Sequence, residues 1–420
     1  MSDGKVVRVA MIVWNEFLND ARVLKEAQTL QQSGYQVTVF ALHTPGKTKN
    51  REQLRDGIVV SRVARSPFWR WRKSTAPKIQ EKLAGKGHLP TINFDLKHQL
   101  LRLIARTWTH LGLLSQMVMY RANVIHAHDV NTLPTAWLAA RLSRARLVYD
   151  AHEISTSREG YNKLRNIVGS IESKLMPKTD ANITTTDARA KYFARAYGIS
   201  RPTVLQNRPR LTAPFKSNRI REELELTAPW PIIVYQGGLQ QGRGLEKLIR
   251  TAPYVLQAYF VFIGSGRLTQ HLDELSKGLN LQDRVHFIPT VALGDLPSYT
   301  SSADIGVQPI ENTCLNHYTT DSNKLFEYLI AGLPVVATDF PEIRRIVLGH
   351  DVGLLVPPND SESLAYALNS LIHNIQLRQS YAANARSAAK TLNWEEQESR
   401  LVSLYQQVLD PASVTSKAKS

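Results

Sequence analysis

Apolar residues along the chain follow two spacings that take turns. Runs such as VVRVAMIVW, VTVFAL, ANVIHAH and LVYDAHE are continuous and β-branched, the pattern of strands covered on both faces. Between them the apolar positions recur every three or four residues, as on one side of a helix. A helix over 20–32 carries Val23, Leu24, Ala27 and Leu30 in one stripe, with Gly34 as its stop. A second over 135–142 precedes LVYDAHE, and a short ANITTT strand follows. The Pro-containing passage TVLQNRPRLTAPFKSNRI has no period and reads as an extended linker. After it the alternation restarts with PIIVYQGG, a helix from Leu245, YFVFIGSG, a helix near Leu268, VHFIP, ADIGVQPI, a helix over 323–331, PVVATD and VGLLVPP.

Alternating strands and helices build parallel sheets with helices on both faces. The order therefore predicts an α/β protein of two Rossmann-like, doubly wound domains facing across a cleft. Residues 1–205 form the first domain and 206–392 the second; a helix over 393–410 packs back on the first, and 411–420 is a flexible tail. A chain of 420 residues is also too long for one ordinary core. Ligands of open α/β sheets collect beyond the C-terminal ends of the strands, so the polar residues there are the place to look for chemistry.

Composition alters this picture in one region. The chain is 43% hydrophobic and 21% charged, with a single cysteine, Cys314. One thiol excludes an internal disulfide framework and fits a reducing compartment. The opening residues pass straight into a strand-like run without a signal-peptide core, and no uncharged apolar run reaches membrane-spanning length. The expected location is cytoplasmic. Net charge is +16, and much of it is local: between Ser61 and Arg121 twelve Lys and Arg residues face two acidic ones. The same segment holds Phe68-Trp69-Arg70-Trp71-Arg72 and the helical stretch HQLLRLIARTWTHLGLLSQMVMY. Basic residues and Trp on an amphipathic element suit an anionic membrane surface, each basic side chain contributing about 1 kcal/mol. A solvated face around a buried helix and a nucleic-acid-binding surface are the alternatives; no recognised nucleic-acid motif accompanies the charge.

In the second half, three strand ends carry candidate anion contacts. YQGGLQQGRGLEKLI sets Gly237, Gly238 and Arg243 between a strand and a helix, and FIGSGR sets Gly264, Gly266 and Arg267 after the next strand. Closely spaced glycines let backbone amides approach a phosphate, and arginine takes two of its oxygens. The third is Asp321-Ser322-Asn323-Lys324 at the head of a helix that Gly332 and Pro334 close. Asp321 or Ser322 is a suitable N-cap. Leu325, Phe326, Leu329 and Ile330 share the buried side, leaving Asn323, Lys324 and Glu327 on the polar arc. A carboxylate four residues into such a helix suits a sugar diol beside a phosphate; a solvated helix carboxylate is the plain alternative.

In the first half, the strand ends give His126-Ala127-His128-Asp129 and Asp150-Ala151-His152-Glu153. Three readings are open: internal hydrogen bonding, hydrogen bonding of a polar substrate, and a metal-dependent hydrolase built on His126 and His128 with Asp150 or His152.

NDARVLKEAQTL, VIHAHDVNTLP, LVYDAHEI, GGLQQGRGLEKLI and SNKLFEYLIAGLPVVATD together resemble the family 4 retaining glycosyltransferases, which have the GT-B fold. The resemblance is collinear over about residues 6–410. It implies a nucleoside-diphosphate sugar (UDP-, GDP- or dTDP-linked) held by the C-terminal domain through Gly237, Gly238, Arg243, Gly264, Gly266, Ser322, Asn323, Lys324 and Glu327. By position, Glu327 matches the second glutamate of the family's E-x7-E motif, which binds the nucleotide ribose. Arg243 matches the residue that holds the diphosphate, and His128 a histidine near the transferred sugar. His152, Glu153 and Asp129 fall on the acceptor side. His128, Arg243 and Lys324 are the expected catalytic groups, with no metal and no other cofactor. Two positions depart from the pattern: Thr319 stands where the first glutamate is expected, and Gly238 where a second phosphate-binding arginine is common. Lys324 is placed to replace that missing charge. The implied reaction is retaining sugar transfer to a hydroxyl of a glycan or lipid-linked acceptor, in cell-surface polysaccharide or glycolipid synthesis at a cytoplasmic membrane face, without nucleic acid.

Overall fold

The computed structural model describes residues 6–65, 96–158 and 164–410. The Phe68–Arg72 aromatic and basic run and the 411–420 tail lie outside the described residues. Contacts group the chain into two compact units, one of Met1–Ser155, Asn166–Ile183 and Leu401–Ser420, the other of Thr156–Arg165 and Thr184–Arg400.

The first unit is built on β1 (Arg8–Ile12), β2 (Gln36–His43), β3 (Arg51–Gln53), β4 (Val59–Ala64), β5 (Val124–His128), β6 (Arg146–Ala151) and β7 (Ala181–Thr184). These seven run in the order β3-β4-β2-β1-β5-β6-β7. β1 pairs in parallel with β2 and with β5, while the short β3 lies antiparallel on β4. The chain thus moves outward from β1 on one side and later returns to its other side. That reversal opens a crevice beyond β1 and β5, and His126 and His128 are on β5. Val9, Ala10, Met11 and Ile12 are buried, as are Val124, Ile125 and Ala127, so this centre is covered on both faces as the continuous apolar runs predict.

The helix Ala21–Gln32 begins at Asp20, whose carboxylate accepts from the Val23 N–H. Its inward side differs from the expected stripe. Leu24 is half-buried, while Arg22 and Glu26, one turn apart, are buried among the apolar residues. The basic segment's helix runs Leu96–Tyr120. Thr109, Leu113 and Met117 face inward, and Leu100, Leu101, Leu103, Ile104, Trp108 and Leu111 are exposed.

The second unit carries β8 (Thr203–Val204), β9 (Ile232–Gln236), β10 (Tyr259–Ile263), β11 (Val285–Ile288), β12 (Ile305–Gln308), β13 (Val335–Thr338) and β14 (Gly353–Val356). β9 to β14 form a sheet in the order β11-β10-β9-β12-β13-β14, with parallel pairings. Here the reversal lies between β9 and β12. The Tyr328 phenol is wedged at that point, between the carbonyls of Val234 (3.1 Å) and Val307 (3.3 Å), and accepts from the Gln236 N–H (3.3 Å). Its ring lies against Gly306, where a Cβ would come within 2.4 Å of it. A side chain at 306 would push the tyrosine, and the helix that bears it, off the sheet.

The expected linker is a fastened strap. Gln206 donates to the Asp321 carboxylate (2.6 Å), Arg208 donates to Gln206 (2.5 Å) and to the Thr391 carbonyl (2.8 Å), and the Trp394 N–H donates to the Pro209 carbonyl (2.9 Å). Proline content removed the helical period without freeing the chain, because buried polar side chains supply the bonds that regular structure would give. The C-terminal helix runs Glu395–Leu409, and fully buried Trp394 precedes it.

Candidate functional site

The second unit brings together most of the residues expected there. β9 ends in Gly237 and Gly238, both exposed, and the helix Asn323–Ile330 starts beside them. A Cβ on Gly237 would lie 3.4 Å from Lys324 Cε and 3.5 Å from Nζ. Lys324 Nζ also sits 5.0 Å from the centre of the Tyr235 ring and donates to Ser322 Oγ across 3.4 Å. Lys324 is therefore buried, where the wheel set it on the outer arc. The helix begins at the sheet's reversal, so even its polar side is enclosed by the ends of β9 and the loop after it. Burial pushes its amine down, the nearby Arg243 guanidinium adds to this, Glu327 opposes it, and the balance is about 7. Arg243 is half-buried and makes no hydrogen bond or ion pair among the described residues. Two cations thus converge, and among the described residues neither forms an ion pair with a carboxylate.

Glu327 is half-buried, and its Oε2 accepts from Gln236 Nε2 across 2.5 Å. It leans toward the end of β9 and is held there by a side chain the sequence reading did not single out. The same Gln236 accepts from Thr300 Oγ1 through its Oε1 (2.8 Å), which fixes the amide's orientation. The expected side-chain N-cap is absent: Ser322 heads the helix without such a bond, and Asp321 is turned inward to Gln206. Ser322 has φ 54, a conformation costly for any residue but glycine. Asn323 is exposed. Thr319 accepts from Arg189 Nε (3.2 Å) and donates to the Leu315 carbonyl (2.7 Å), so its hydroxyl is occupied internally.

The glycines of the next loop have a structural reason of their own. A Cβ on Gly264 would lie 2.0 Å from the Gly237 carbonyl oxygen, and one on Gly266 would lie 2.1 Å from that of Leu239. The loops after β9 and β10 are stacked backbone on backbone, and that contact shapes the exposed Gly237-Gly238 turn. Arg267 is exposed. His317, not foreseen, lines the Arg243 loop: a Cβ on Gly242 would lie 2.4 Å from its ring. Burial, followed by Arg243, pushes its imidazole down to about 4, so it is neutral at pH 7.

In the first unit the expected strand-end residues join a buried network. Arg22 donates to both oxygens of Asp150 (2.8 and 3.0 Å) and lies 3.0 Å from Glu26. His152 Nε2 is 3.0 Å and His128 Nδ1 3.5 Å from the same Asp150 oxygen. Burial alone would raise Asp150, but Arg22 and then the imidazoles outweigh it and hold the carboxyl well below its usual range. Glu26 goes the other way: burial outweighs Arg22 and pushes it up to about 8. For His152 burial is outweighed by Asp150 and then Asp129, giving about 9, a cation at neutral pH. His128 is pushed down by burial against the pull of Asp150. Its Nδ1 faces the carboxylate, leaving Nε2 buried without a hydrogen-bond partner among the described residues. Asp129 takes a positive φ of 63 at the turn where its N–H bonds the Asp150 carbonyl (3.0 Å). Glu153 is half-buried.

Glu26, His126, His128 and Asp150 each place a ligand atom within 4.8 Å of the others, the donor set of a metal site. Arg22 already lies among them, a permanent cation on the two carboxylates. His126 is fully buried, and its Nδ1 is 2.9 Å from the Tyr405 hydroxyl. A catalytic metal needs an open position for water; all four residues are buried, and the Asp150 carboxylate is already taken by Arg22. The metal-hydrolase expectation is set aside on that ground. Arg22 and Glu26 were legible as an ion pair one turn apart within an apolar stripe. Tyr405, 279 residues from His126, left no such signal.

Two parallel-sheet α/β units with these strand orders are the GT-B architecture of glycosyltransferases. Sucrose-phosphate synthase from Thermosynechococcus elongatus is similar with a TM-score of 0.77 at 17% identity, covering 97% of this chain and 100% of its own. Anabaena HepE, solved in complex with UDP-glucose, is similar with a TM-score of 0.69 at 17% identity, covering 97% and 99%. Residues 21–207 match the family model described as Glycosyltransferase Family 4, and residues 230–374 match Glycosyl transferases group 1. The chain belongs to this glycosyltransferase family and is an enzyme of that class. Among curated relatives, the D-inositol 3-phosphate glycosyltransferase of Streptosporangium roseum is 22% identical over 410 residues, 91% of this chain and 86% of its own. Among the described residues no helix is long and apolar enough to cross a membrane.

Proposed function

We propose that the protein moves a sugar from a nucleoside-diphosphate sugar to an acceptor hydroxyl, with retention at the anomeric carbon. The observation that carries this reading is the convergence of Arg243 and Lys324, neither in an ion pair with a carboxylate among the described residues, beside the exposed Gly237-Gly238 turn and Glu327. Unpaired cations at the reversal point of a parallel sheet call for an anion, and a carboxylate next to them calls for hydroxyl donors. A diphosphate joined to ribose meets both needs. The UDP-glucose bound by the Anabaena relative has the same two parts.

Negative charge grows on the diphosphate as the sugar–oxygen bond breaks. Arg243 and Lys324 are fixed before that charge appears, so they favour departure without reorganising, the electrostatic contribution that is usually largest. They stand where other enzymes place a divalent ion. The departing phosphate oxygen takes the acceptor's proton, so no side chain must serve as base. Glu327, steadied by Gln236, accepts from the ribose hydroxyls, with Gly264, Gly266, Ser322 and Asn323 completing the donor loops. In the first unit His128 belongs to the transferred-sugar side, and Asp129, His152 and Glu153 to the acceptor side.

The acceptor is membrane-borne, either lipid-linked or a glycolipid in cell-surface assembly. The support is the helix Leu96–Tyr120, where exposed Leu100, Leu103, Ile104, Trp108 and Leu111 accompany exposed Arg106, as on an interfacial helix. Thermal-shift titration with UDP-, GDP- and dTDP-sugars tests the donor, because a ligand of the native state raises the melting temperature. Sedimentation with anionic vesicles tests the surface. No stabilisation by any of the three donors ends the first proposal, and binding no stronger than to neutral vesicles ends the second.

A further inference from the structure

The setting of Lys324 specifies more than a positive charge. Its side chain is 8% exposed, and its ammonium has three N–H groups to satisfy. The niche gives it one long bond, to Ser322 Oγ at 3.4 Å, and the face of the Tyr235 ring at 5.0 Å. No carboxylate forms an ion pair with it among the described residues. A buried ammonium so poorly provided for is costly, and the backbone of Gly237 leaves Nζ adjoining the turn where an anion docks.

We propose that Lys324 is the proton-coupled cation of the diphosphate site: its amine takes a proton from solvent as the nucleoside diphosphate docks and returns it when the diphosphate leaves. This rests on the donor reading above. The groups facing Nζ come from four elements. Tyr235 of β9 is pushed up by burial to about 12 and His317 of the helix Leu315–Tyr318 down to about 4, so both are neutral at pH 7 to 8. Arg243, in the loop after β9, disfavours the ammonium, and Glu327 on the same helix favours it. With half-protonation near pH 7 the empty site holds a largely neutral amine at pH 8. The negative charge of the diphosphate arriving at Nζ reverses that balance. The donor site thereby avoids a second unpaired cation beside Arg243 while empty and has both when the leaving group must be stabilised.

The experiment is calorimetric titration of the full chain with UDP at pH 8, in buffers of different ionisation enthalpy, whose slope counts protons taken up. GDP and dTDP are titrated in the same way. At pH 8 a free diphosphate carries no proton of its own to exchange, so the count reports on the protein. The expected wild-type result is about 0.9 proton per UDP bound. Lys324→Arg, whose guanidinium is always charged, is expected to bind with uptake near zero. Should arginine not fit the niche, Lys324→Met, matched to its burial, is expected to fold, bind more weakly and take up no proton. Binding by the wild type with a flat slope overturns the proton coupling and leaves the donor reading standing. Uptake that persists in either variant assigns the proton to another group and also overturns it. If none of the three diphosphates binds, the donor reading falls and this inference falls with it.

Discussion

Gln236 Nε2 donates to Glu327 Oε2 across 2.5 Å, joining the last residue of β9 to the middle of the helix Asn323–Ile330. The bond aims the carboxylate across the sheet's reversal point instead of out to solvent. Gln236 is in turn held by Thr300, so the carboxylate's direction is set two residues deep.

Removing the carboxylate tests its part in donor binding. A hydrogen bond to a charged group contributes about 1.5–3 kcal/mol, so Glu327→Ala is expected to raise the donor KM by roughly tenfold to a hundredfold. Gln236→Ala frees the carboxylate without deleting it and is expected to have a smaller effect in the same direction. Steady-state kinetics against donor concentration, with far-ultraviolet circular dichroism as the check on folding, measures both.

Arg243 acts on the leaving group more than on the resting donor. Arg243→Ala is expected to lower kcat by about two to three orders of magnitude and to weaken nucleoside-diphosphate binding to a lesser degree. Since cationic side chains take the place of an ion in this reading, chelation with EDTA is expected to leave turnover unchanged. A rate that collapses on chelation and returns with one added metal would transfer the role to that metal.

The stacked loops give a stability prediction. Gly264 has φ +142 and would bring a Cβ to 2.0 Å from the Gly237 carbonyl oxygen. Gly264→Ala is expected to cost more than about 2 kcal/mol, from backbone strain and a contact that cannot be relieved by a rotamer change. Gly34 also has positive φ, at +89, but no atom within 4 Å of its built Cβ; Gly34→Ala is expected to cost about 1–2 kcal/mol, from backbone strain alone. Urea unfolding of the two variants separates steric from conformational cost.

His152 makes stability depend on pH. Its imidazole is raised from the ordinary 6.5 to about 9, burial being outweighed by Asp150 and Asp129. The folded state therefore binds more protons than the unfolded chain between those values, and stability falls as pH rises through that window. The contribution is fully present below pH 6.5 and lost above about 9. In His152→Gln the unfolding free energy is expected to lie below wild type at pH 6 and to converge with it by pH 9.5. A gap that stays constant across the series would mean that folding leaves the imidazole's pKa at its unfolded value.

The alternation of strands and helices was legible because each buried strand is a continuous apolar run and each helix keeps its own period. The donor-site helix was legible in its extent, but its electrostatics were not. A helical wheel knows the helix and not the sheet edge beside it, so Lys324 read as outward when the end of β9 encloses it. The strap at Gln206–Pro209 read as a linker because proline hides the period, while the bonds that fasten it come from residues over a hundred positions away. In Ala21–Gln32 the apolar stripe was legible and the charged pair inside it was passed over. An Arg and a Glu one turn apart are ordinarily a solvent-facing ion pair; only Asp150, brought alongside by β6, makes burial tolerable.

The hydroxyl of Tyr405 that meets buried His126 comes from a segment, Leu401 onward, that belongs to the first unit although the intervening unit is translated before it. A ribosome delivers residues in order, and domains ordinarily fold as they emerge. This first unit must wait with an unsealed wall until the second unit has been made, and its nascent form exposes that apolar surface throughout the interval.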